Sequence, residues 1–255
     1  MGDCVTLWIG DALGPVERAC VRSVLRHGHS LTLYSYRQPN GVPQGVELRD
    51  ASAILPKSNV FVHSNGSYGP FADWFRYELL RRGLGTWVDI DMYFFAPLDL
   101  ERPYLFGEES PGMINNAVLR LPPDSPMVPL LLQPFETKKT PDWLPWRLWL
   151  PMRIRESVHG YMDPARAPWG STGPYAVNGV ARSLGLEAEA LPQDVFYPAS
   201  WQDAGWIRQA GAHLEDLVTE RTVGIHLWNE CIKSFKNEPA PDGSFLKRLH
   251  CEGRA

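Results

Sequence analysis

The sequence has no long apolar run and no excess of positive charge. None of its apolar segments approaches the roughly 20 residues that a helix needs to cross a bilayer, so no transmembrane helix is predicted. Its 25 Lys and Arg residues face 29 Asp and Glu residues, which gives a net charge of -4. Proteins that coat nucleic acid are normally basic, and this charge balance therefore argues against such a partner.

Cysteine is also scarce, and its spacing excludes two kinds of site. The four cysteines are far apart and form no CxxC pair: Cys4, Cys20, Cys231 and Cys251. The pattern is typical neither of a zinc site nor of a disulfide framework. The first residues also lack the basic and apolar segments of a signal peptide. We therefore expect a reduced, cytoplasmic protein.

The 255 residues are instead rich in proline and tryptophan. Hydrophobic residues make up 44% of the chain and charged residues 21%, a composition typical of a folded protein. Residues 121–170 hold ten of the 23 prolines and four of the ten tryptophans. This segment is too apolar for a flexible linker. The prediction is one domain over residues 1–255 with a Pro/Trp-rich lobe around residues 121–170.

The rest of the chain alternates between strand and helix patterns. Residues 5–10 form a short apolar run, Pro15 opens a helical pattern that Gly28 ends, and residues 30–36 alternate like a strand. Further elements are predicted as a helix over 71–82, a strand over 87–95, a regular segment over 175–184 and a last strand over 222–228. A strand–helix–strand unit of this length is typical of an α/β fold with a parallel sheet.

Two carboxylates interrupt the most strand-like segment of the chain. Asp89 and Asp91 lie two residues apart, so in an ideal strand they share one face. Burying both is costly unless a cation or hydrogen-bond donors meet them. The carboxyl ends of strands are where α/β folds bind ligands, and carboxylate oxygens suit Mg²⁺ or Mn²⁺ with substrate phosphates. Solvation of a strand end by the same two residues is the alternative.

The helix before this segment carries Asp73 and Arg76 on one face, three residues apart. One interpretation is a surface ion pair. The other is functional: Arg76 grips a diphosphate, and Asp73 accepts hydrogen bonds from sugar hydroxyls.

These residues belong to a longer pattern. The segment 73–95 resembles the signature of the DXD sugar-transferase family, which includes the globotriaosylceramide synthases (α-1,4-galactosyltransferases) and related bacterial glycosyltransferases. Four further segments resemble that family in the same order, from about Trp8 to Asn229: residues 115–119, 169–174, 196–203 and 226–229.

The resemblance implies a GT-A fold, a Rossmann-like domain that binds a nucleotide-sugar, usually UDP-linked, with Mn²⁺ or Mg²⁺. It implies retaining transfer of the sugar to a glycan or glycolipid acceptor. The implied metal ligands are Asp89, Asp91 and His226, and the implied catalytic residues are Asp89, Asp91 and Asn116.

The resemblance also implies two sets of substrate contacts. Donor-binding residues would be Trp8, Asp73, Arg76, Asp89, Asn115, Asn116 and Trp228. Acceptor-binding residues would be Gly173, Trp201, Gln202 and Asp203. Structural roles remain open for several of them: Trp8 in the core, Asn115 and Asn116 in a turn, His226 beside Trp228, and 201–203 in a loop pinned to the core.

Two other functions compete with sugar transfer. A phosphohydrolase would use Asp89 as nucleophile and Asp91 as general acid, although such enzymes usually carry the pair on the first strand. A non-catalytic sugar-binding module is the third hypothesis, and it would not need the Asp73–Arg76 pair together with the two DXD carboxylates.

Residues 142–161 interleave tryptophans and aliphatic residues with Arg147, Arg153 and Arg155. They either contact an anionic membrane peripherally, at its inner face, or form the core and acceptor pocket of the lobe. Pro145 and Pro151 are expected to prevent a clean amphipathic helix here.

Overall fold

Two β-sheets organise the computed structural model, which describes residues 3–254. The strands are β1 (Cys4–Trp8), β2 (Leu31–Ser35), β3 (Val46–Asp50), β4 (Thr86–Val88), β5 (Met92–Phe94), β6 (Leu105–Ser110), β7 (Met113–Arg120) and β8 (Gly224–His226). The larger sheet has the order β3-β2-β1-β4-β7-β6, and the smaller sheet pairs β5 with β8.

Strands β1 to β4 form the parallel half of the larger sheet, and β7 runs antiparallel to both β4 and β6. Because β1 and β4 are parallel, the carboxyl ends of both strands lie at one edge. Trp8 and the residues that follow Val88 therefore share that edge. The amino-terminal half of β7 reaches the same edge, since Val88 pairs with Val118 in the antiparallel register.

The helices cover both faces of the sheet. They are α1 (Pro15–Arg26), α2 (Gly69–Arg81), α3 (Met127–Thr137), α4 (Trp146–His159), α5 (Pro174–Leu184), α6 (Gln193–Phe196), α7 (Asn229–Ile232) and α8 (Phe245–Arg254). One apolar cluster joins α2, α3 and α5 to the sheet, and a second joins α1 to α8 and β8. At the α1–α8 contact, a Cβ on Gly253 would lie 1.9 Å from the Pro15 carbonyl oxygen, so only glycine allows this approach.

The predicted elements are largely present. Helix α1 begins with Pro15 at its first position and is followed by Gly28 at φ +85°, as the pattern indicates. Strand β3 was not predicted, because its sequence follows a turn-rich stretch and its burial is only partial. The α/β class is confirmed, and the mainly parallel six-stranded sheet is consistent with a GT-A-like architecture. Among residues 3–254, no helix has the length and apolar character needed to cross a membrane.

The prediction of one continuous strand over residues 87–95 is wrong. The segment divides into β4, which belongs to the larger sheet, and β5, which pairs with β8 in the smaller one. The pairing partners explain the division, because β4 pairs with β7 whereas β5 pairs with β8. Residues 89–91 form the junction, so Asp89 and Asp91 do not share the face of one strand.

The Pro/Trp-rich segment also divides. Helix α3 packs into the main core through Met127, Leu131 and Phe135. Residues 138–169, which we name the α4 lobe, have a small cluster of their own around Leu144 and Met152. The segment is helical despite its prolines, but its apolar residues do not form a single face, as the prolines lead one to expect. Pro145 occupies the N-cap position, and α4 accommodates Pro151 in its interior at the loss of one backbone donor.

Candidate metal centre

The junction between the two sheets positions both DXD carboxylates. The Asp89 N–H donates to the Ala117 carbonyl of β7 at 2.7 Å, which extends the pairing of β4 by one residue. Two residues later the Leu227 N–H donates to the Asp91 carbonyl at 3.1 Å. The backbone thus changes partner between Asp89 and Asp91, and His226 at the end of β8 is brought beside them.

Asp89, Asp91 and His226 each offer one ligand atom, and these atoms lie within 4.8 Å of one another. The His226 Nε2 atom is 3.2 Å from Asp91 Oδ2 and 3.9 Å from Asp89 Oδ2. Adjacent ligands of an octahedral ion with bonds of about 2.1 Å lie about 3 Å apart. The spacing therefore fits a divalent cation after only small side-chain adjustments, and the three groups can hold a metal ion.

The charges of the three groups are strongly linked. Burial raises the pKa of Asp91, but the nearby His226 lowers it, and the net direction is down. Burial lowers the pKa of His226, but the Asp91 and Asp89 carboxylates raise it, and the net direction is up. For Asp89 burial dominates and raises the pKa, against the lowering effect of Arg76. The site is thus built to hold positive charge between two carboxylates.

Arg76 lies buried beneath Asp89. Its Nη2 atom donates to Asp89 Oδ1 at 2.9 Å, and Nη1 donates to the Asn116 carbonyl. The Trp87 indole N–H also donates to Asp89 Oδ1, at 2.6 Å, and the guanidinium stacks over the Trp87 ring. The surface ion-pair interpretation is therefore wrong, because the Arg76 side chain is only 5% exposed. Its amino groups donate to Asp89 and to β7. They would have to break these hydrogen bonds to bind a diphosphate directly.

Asp73 anchors a second buried cluster next to the carboxylates. It accepts hydrogen bonds at 2.9 Å from the Asn116 amide and from the Thr172 hydroxyl. Desolvation raises the pKa of Asp73 despite the neighbouring Arg76. Asn116 lies in β7 rather than in a turn, which corrects one expectation. Asp73, Asn116 and Gly173, all named from the sequence, thus meet at one place.

Gly173 gives a first prediction. A Cβ at this position would lie 3.0 and 3.1 Å from the two Asp73 carboxylate oxygens and 3.3 Å from the Asn116 amide nitrogen. Gly173→Ala is therefore expected to displace Asp73 and Asn116 and to lower turnover by about tenfold or more, with modest loss of stability. Kinetic measurement on Gly205→Ala is the control, because no atom lies within 4 Å of the Cβ there. Equal activity of the two variants would contradict the role assigned to this contact.

Asn115, which also lies in β7 rather than in a turn, contacts two more polar side chains. Its amide oxygen accepts from the Tyr197 hydroxyl at 3.3 Å, and its amide nitrogen donates to Glu109. Burial raises the pKa of Glu109, whose charge also acts on His226. Neither Glu109 nor Tyr197 was singled out from the sequence. Tyr197 lies within a segment that resembles the sugar transferases, so the resemblance could have identified it. Glu109 lies in β6, outside the segments that resemble that family.

The predicted tryptophans lie around this centre. The Trp228 ring contacts His226 at a centroid distance of 4.2 Å, and its indole N–H donates to the Ala199 carbonyl at 3.0 Å. Trp228 thus holds His226 in place, at a backbone φ of +57° that is unusual for a large residue. Trp8 ends β1 at the same sheet edge, and its buried indole N–H has no partner among the described residues.

The predicted acceptor residues 201–203 lie outside this cluster of contacts. They begin a 3₁₀ helix, Trp201–Arg208, and all three side chains are exposed. Asp203 accepts from the Ser200 hydroxyl, and the carbonyl of the neighbouring Ala199 accepts from the Trp228 indole N–H. These residues are available to a large ligand but do not touch the carboxylates.

The buried Lys236–Glu17 ion pair supports Asp91 through Asn229. This pair was not predicted from the sequence. The Asn229 N–H donates to Asp91 Oδ2 at 2.7 Å. The Lys236 ammonium in turn donates to the Asn229 amide oxygen and to Glu17 of α1. Lys236 and Glu17 are both buried. The pair therefore fixes the turn after β8 from which Asn229 reaches the metal centre.

Comparison with known proteins adds little to this geometry. No family model matches the sequence, and no curated protein matches it. Among solved structures, the chain is similar to "PaToxG Glycosyltransferase" at 12% identity and a TM-score of 0.46, over 73% of this chain and 71% of that chain. The resemblance to the globotriaosylceramide synthase family accordingly stays a prediction.

Proposed function

We propose that this protein is a metal-dependent glycosyltransferase that moves a sugar from a nucleotide-sugar to a glycan or glycolipid. The observation that carries the proposal is the cluster of Asp89, Asp91 and His226 at the carboxyl edge of a parallel sheet. That edge is where α/β folds receive nucleotides. The order of the sequence segments that resemble sugar transferases supports the same function.

Each part of the site has a role that suits this reaction. A divalent cation held by Asp89, Asp91 and His226 would neutralise charge on the departing diphosphate. Arg76 orients Asp89 and lowers its pKa against the effect of burial, which favours the protonated form. Asp73 and Asn116 form a rigid polar wall for donor-sugar hydroxyls, and Trp8 offers an aromatic face for the base. Exposed Trp201, with Gln202 and Asp203, would meet the acceptor.

The environment of Asp89 favours this function over phosphate hydrolysis. Its Oδ1 atom accepts from both Arg76 and Trp87. These hydrogen bonds hold the carboxylate firmly, whereas a nucleophile must be free to attack and to carry a phosphoryl group. A sugar-binding module without activity would not require a buried arginine beneath the DXD carboxylates.

Several finer features belong to the proposal. The donor nucleotide is UDP, and transfer retains the configuration at the sugar. Mn²⁺ is preferred over Mg²⁺, because an imidazole ligand favours a transition metal. The proposal also includes a cytoplasmic location for the protein.

A nucleotide-release assay separates the three functions. The protein is incubated with Mn²⁺ and, in separate reactions, with a panel of nucleotide-sugars and a panel of sugar phosphates, and the free products are identified. A glycosyltransferase releases the nucleoside diphosphate, at least slowly to water in place of an acceptor. A phosphohydrolase releases inorganic phosphate from phosphorylated substrates, and a binding module releases neither. Phosphate release without nucleoside diphosphate would overturn the proposal.

A further inference from the structure

Helix α4 is apolar on two opposite sides. Successive residues of a helix are about 100° apart, so Leu148, Trp149 and Met152 share one side, where they pack against the α4 lobe's own cluster. Residues four apart share the other side, and there the side chains are exposed: Trp146 by 68%, Leu150 by 46%, Ile154 by 56% and Val158 by 73%. We name these four residues the outer stripe.

The outer stripe is more than scattered surface hydrophobicity. Four large apolar side chains follow one another along three turns of one helix, over about 18 Å. Contiguous exposed apolar patches mark contact with a partner or a membrane. The lobe-core interpretation fits Trp149, which packs into the lobe, but not Trp146, which faces outward.

Cations border the outer stripe on both sides. Arg153 and Arg155 lie about 80–120° from its centre in opposite directions, and Arg147 lies within the exposed side and stacks on the Trp146 ring. The acidic residue of α4, Glu156, lies toward the covered side, where it accepts from the Thr140 N–H. An apolar stripe bordered by arginines is the pattern of a helix that lies flat in a membrane interface.

The charge of the whole lobe agrees with that arrangement. Residues 138–169 hold six Lys and Arg residues against three acidic ones, although the whole chain has a net charge of -4. An anionic surface therefore attracts this lobe and repels the rest of the chain. The molecule is thus oriented with α4 facing that surface. A second copy of the chain fits less well, because pairing two outer stripes would bring like charges together.

We propose that the α4 lobe docks on an anionic lipid surface, with the outer stripe inserted at the headgroup level and the arginines on lipid phosphates. This inference does not depend on the proposed transferase activity, and its test needs no substrate.

The test is co-sedimentation with vesicles of phosphatidylcholine containing phosphatidylglycerol, and with vesicles of phosphatidylcholine alone. The wild-type protein is expected to sediment with the anionic vesicles at low salt, and binding should weaken at moderate salt as the arginines are screened. Trp146→Ser with Ile154→Ser should lower the partition coefficient by about tenfold or more. The melting temperature should not change, because both side chains are exposed.

Two double variants test whether binding depends on the arginines of α4 or only on the net charge of the chain. Arg147→Gln with Arg155→Gln should weaken binding to anionic vesicles, whereas Arg37→Gln with Arg221→Gln, exposed arginines elsewhere, should not. Equal effects of the two pairs would overturn the proposal, as would wild-type binding by the stripe variant or no binding by the wild type. A dimer in sedimentation velocity that the stripe variant abolishes would instead identify a self-interface.

Discussion

Asp91→Asn is expected to abolish Mn²⁺ binding and sugar transfer while the fold persists. Asparagine keeps an oxygen that can accept from the Asn229 N–H, but it removes the charge that pairs with His226 and would face the cation. We expect turnover to fall by about 10³-fold or more, on the order of 4 kcal/mol in the barrier. Isothermal titration with Mn²⁺ and nucleotide-sugar turnover are the two measurements.

Asp242→Asn is the matched control, because that carboxylate is 93% exposed and lies outside the site. It should bind Mn²⁺ as the wild type does. Mn²⁺ should also raise the melting temperature of the wild type and the control but not of Asp91→Asn, since a ligand stabilises only the state that binds it. A wild-type dissociation constant in Asp91→Asn would show that the carboxylates serve another purpose.

Local patterns predicted the first unit of the parallel half, β1–α1–β2, well. Strands β1 and β2 with helix α1 are continuous apolar or amphipathic runs, and proline and glycine mark the ends of the helix. Such signals act within one element, so they need no knowledge of partners.

The junction at residues 89–91 could not be predicted in the same way. Every residue around it favours a strand, so the local pattern indicates one uninterrupted element. The interruption comes from Ala117 and Leu227, which lie far away in sequence and pair with the two halves separately. The nearness of His226 to the carboxylates was expected from the family resemblance alone.

The sequence pattern marks one residue of the buried Glu17–Lys236 pair but not the other. Glu17 lies on the apolar face of α1, next to Cys20 and Val21 one turn later, and a charge at such a position indicates a buried partner. Lys236 lies in a polar stretch that is typical of an exposed loop, so nothing local marks it as that partner. Arg76 was singled out from the sequence, but its burial follows from its contact with β7.

The Glu17–Lys236 pair yields the largest expected effect on stability. Lys236→Met would leave the Glu17 carboxylate buried without its cation, and Glu17 Oε2 already has no partner among the described residues. Breaking a buried ion pair on one side costs about 3–5 kcal/mol, so the free energy of unfolding measured in urea should fall by that amount. Lys233→Met is the control, because its pair with Glu230 is exposed and should contribute at most about 1 kcal/mol.

The double variant Glu17→Gln with Lys236→Met separates folding from support of the metal centre. Neutralising the carboxylate should recover most of the lost stability, because no buried charge remains unpaired. It should not recover Mn²⁺ affinity, since the side-chain oxygen of Asn229 still lacks the ammonium that holds this residue, whose backbone N–H donates to Asp91. Loss of such a supporting contact typically weakens metal binding by about 10–100-fold. Wild-type Mn²⁺ affinity in the stable double variant would mean that Lys236 serves the fold alone, and that Asn229 reaches Asp91 without its help.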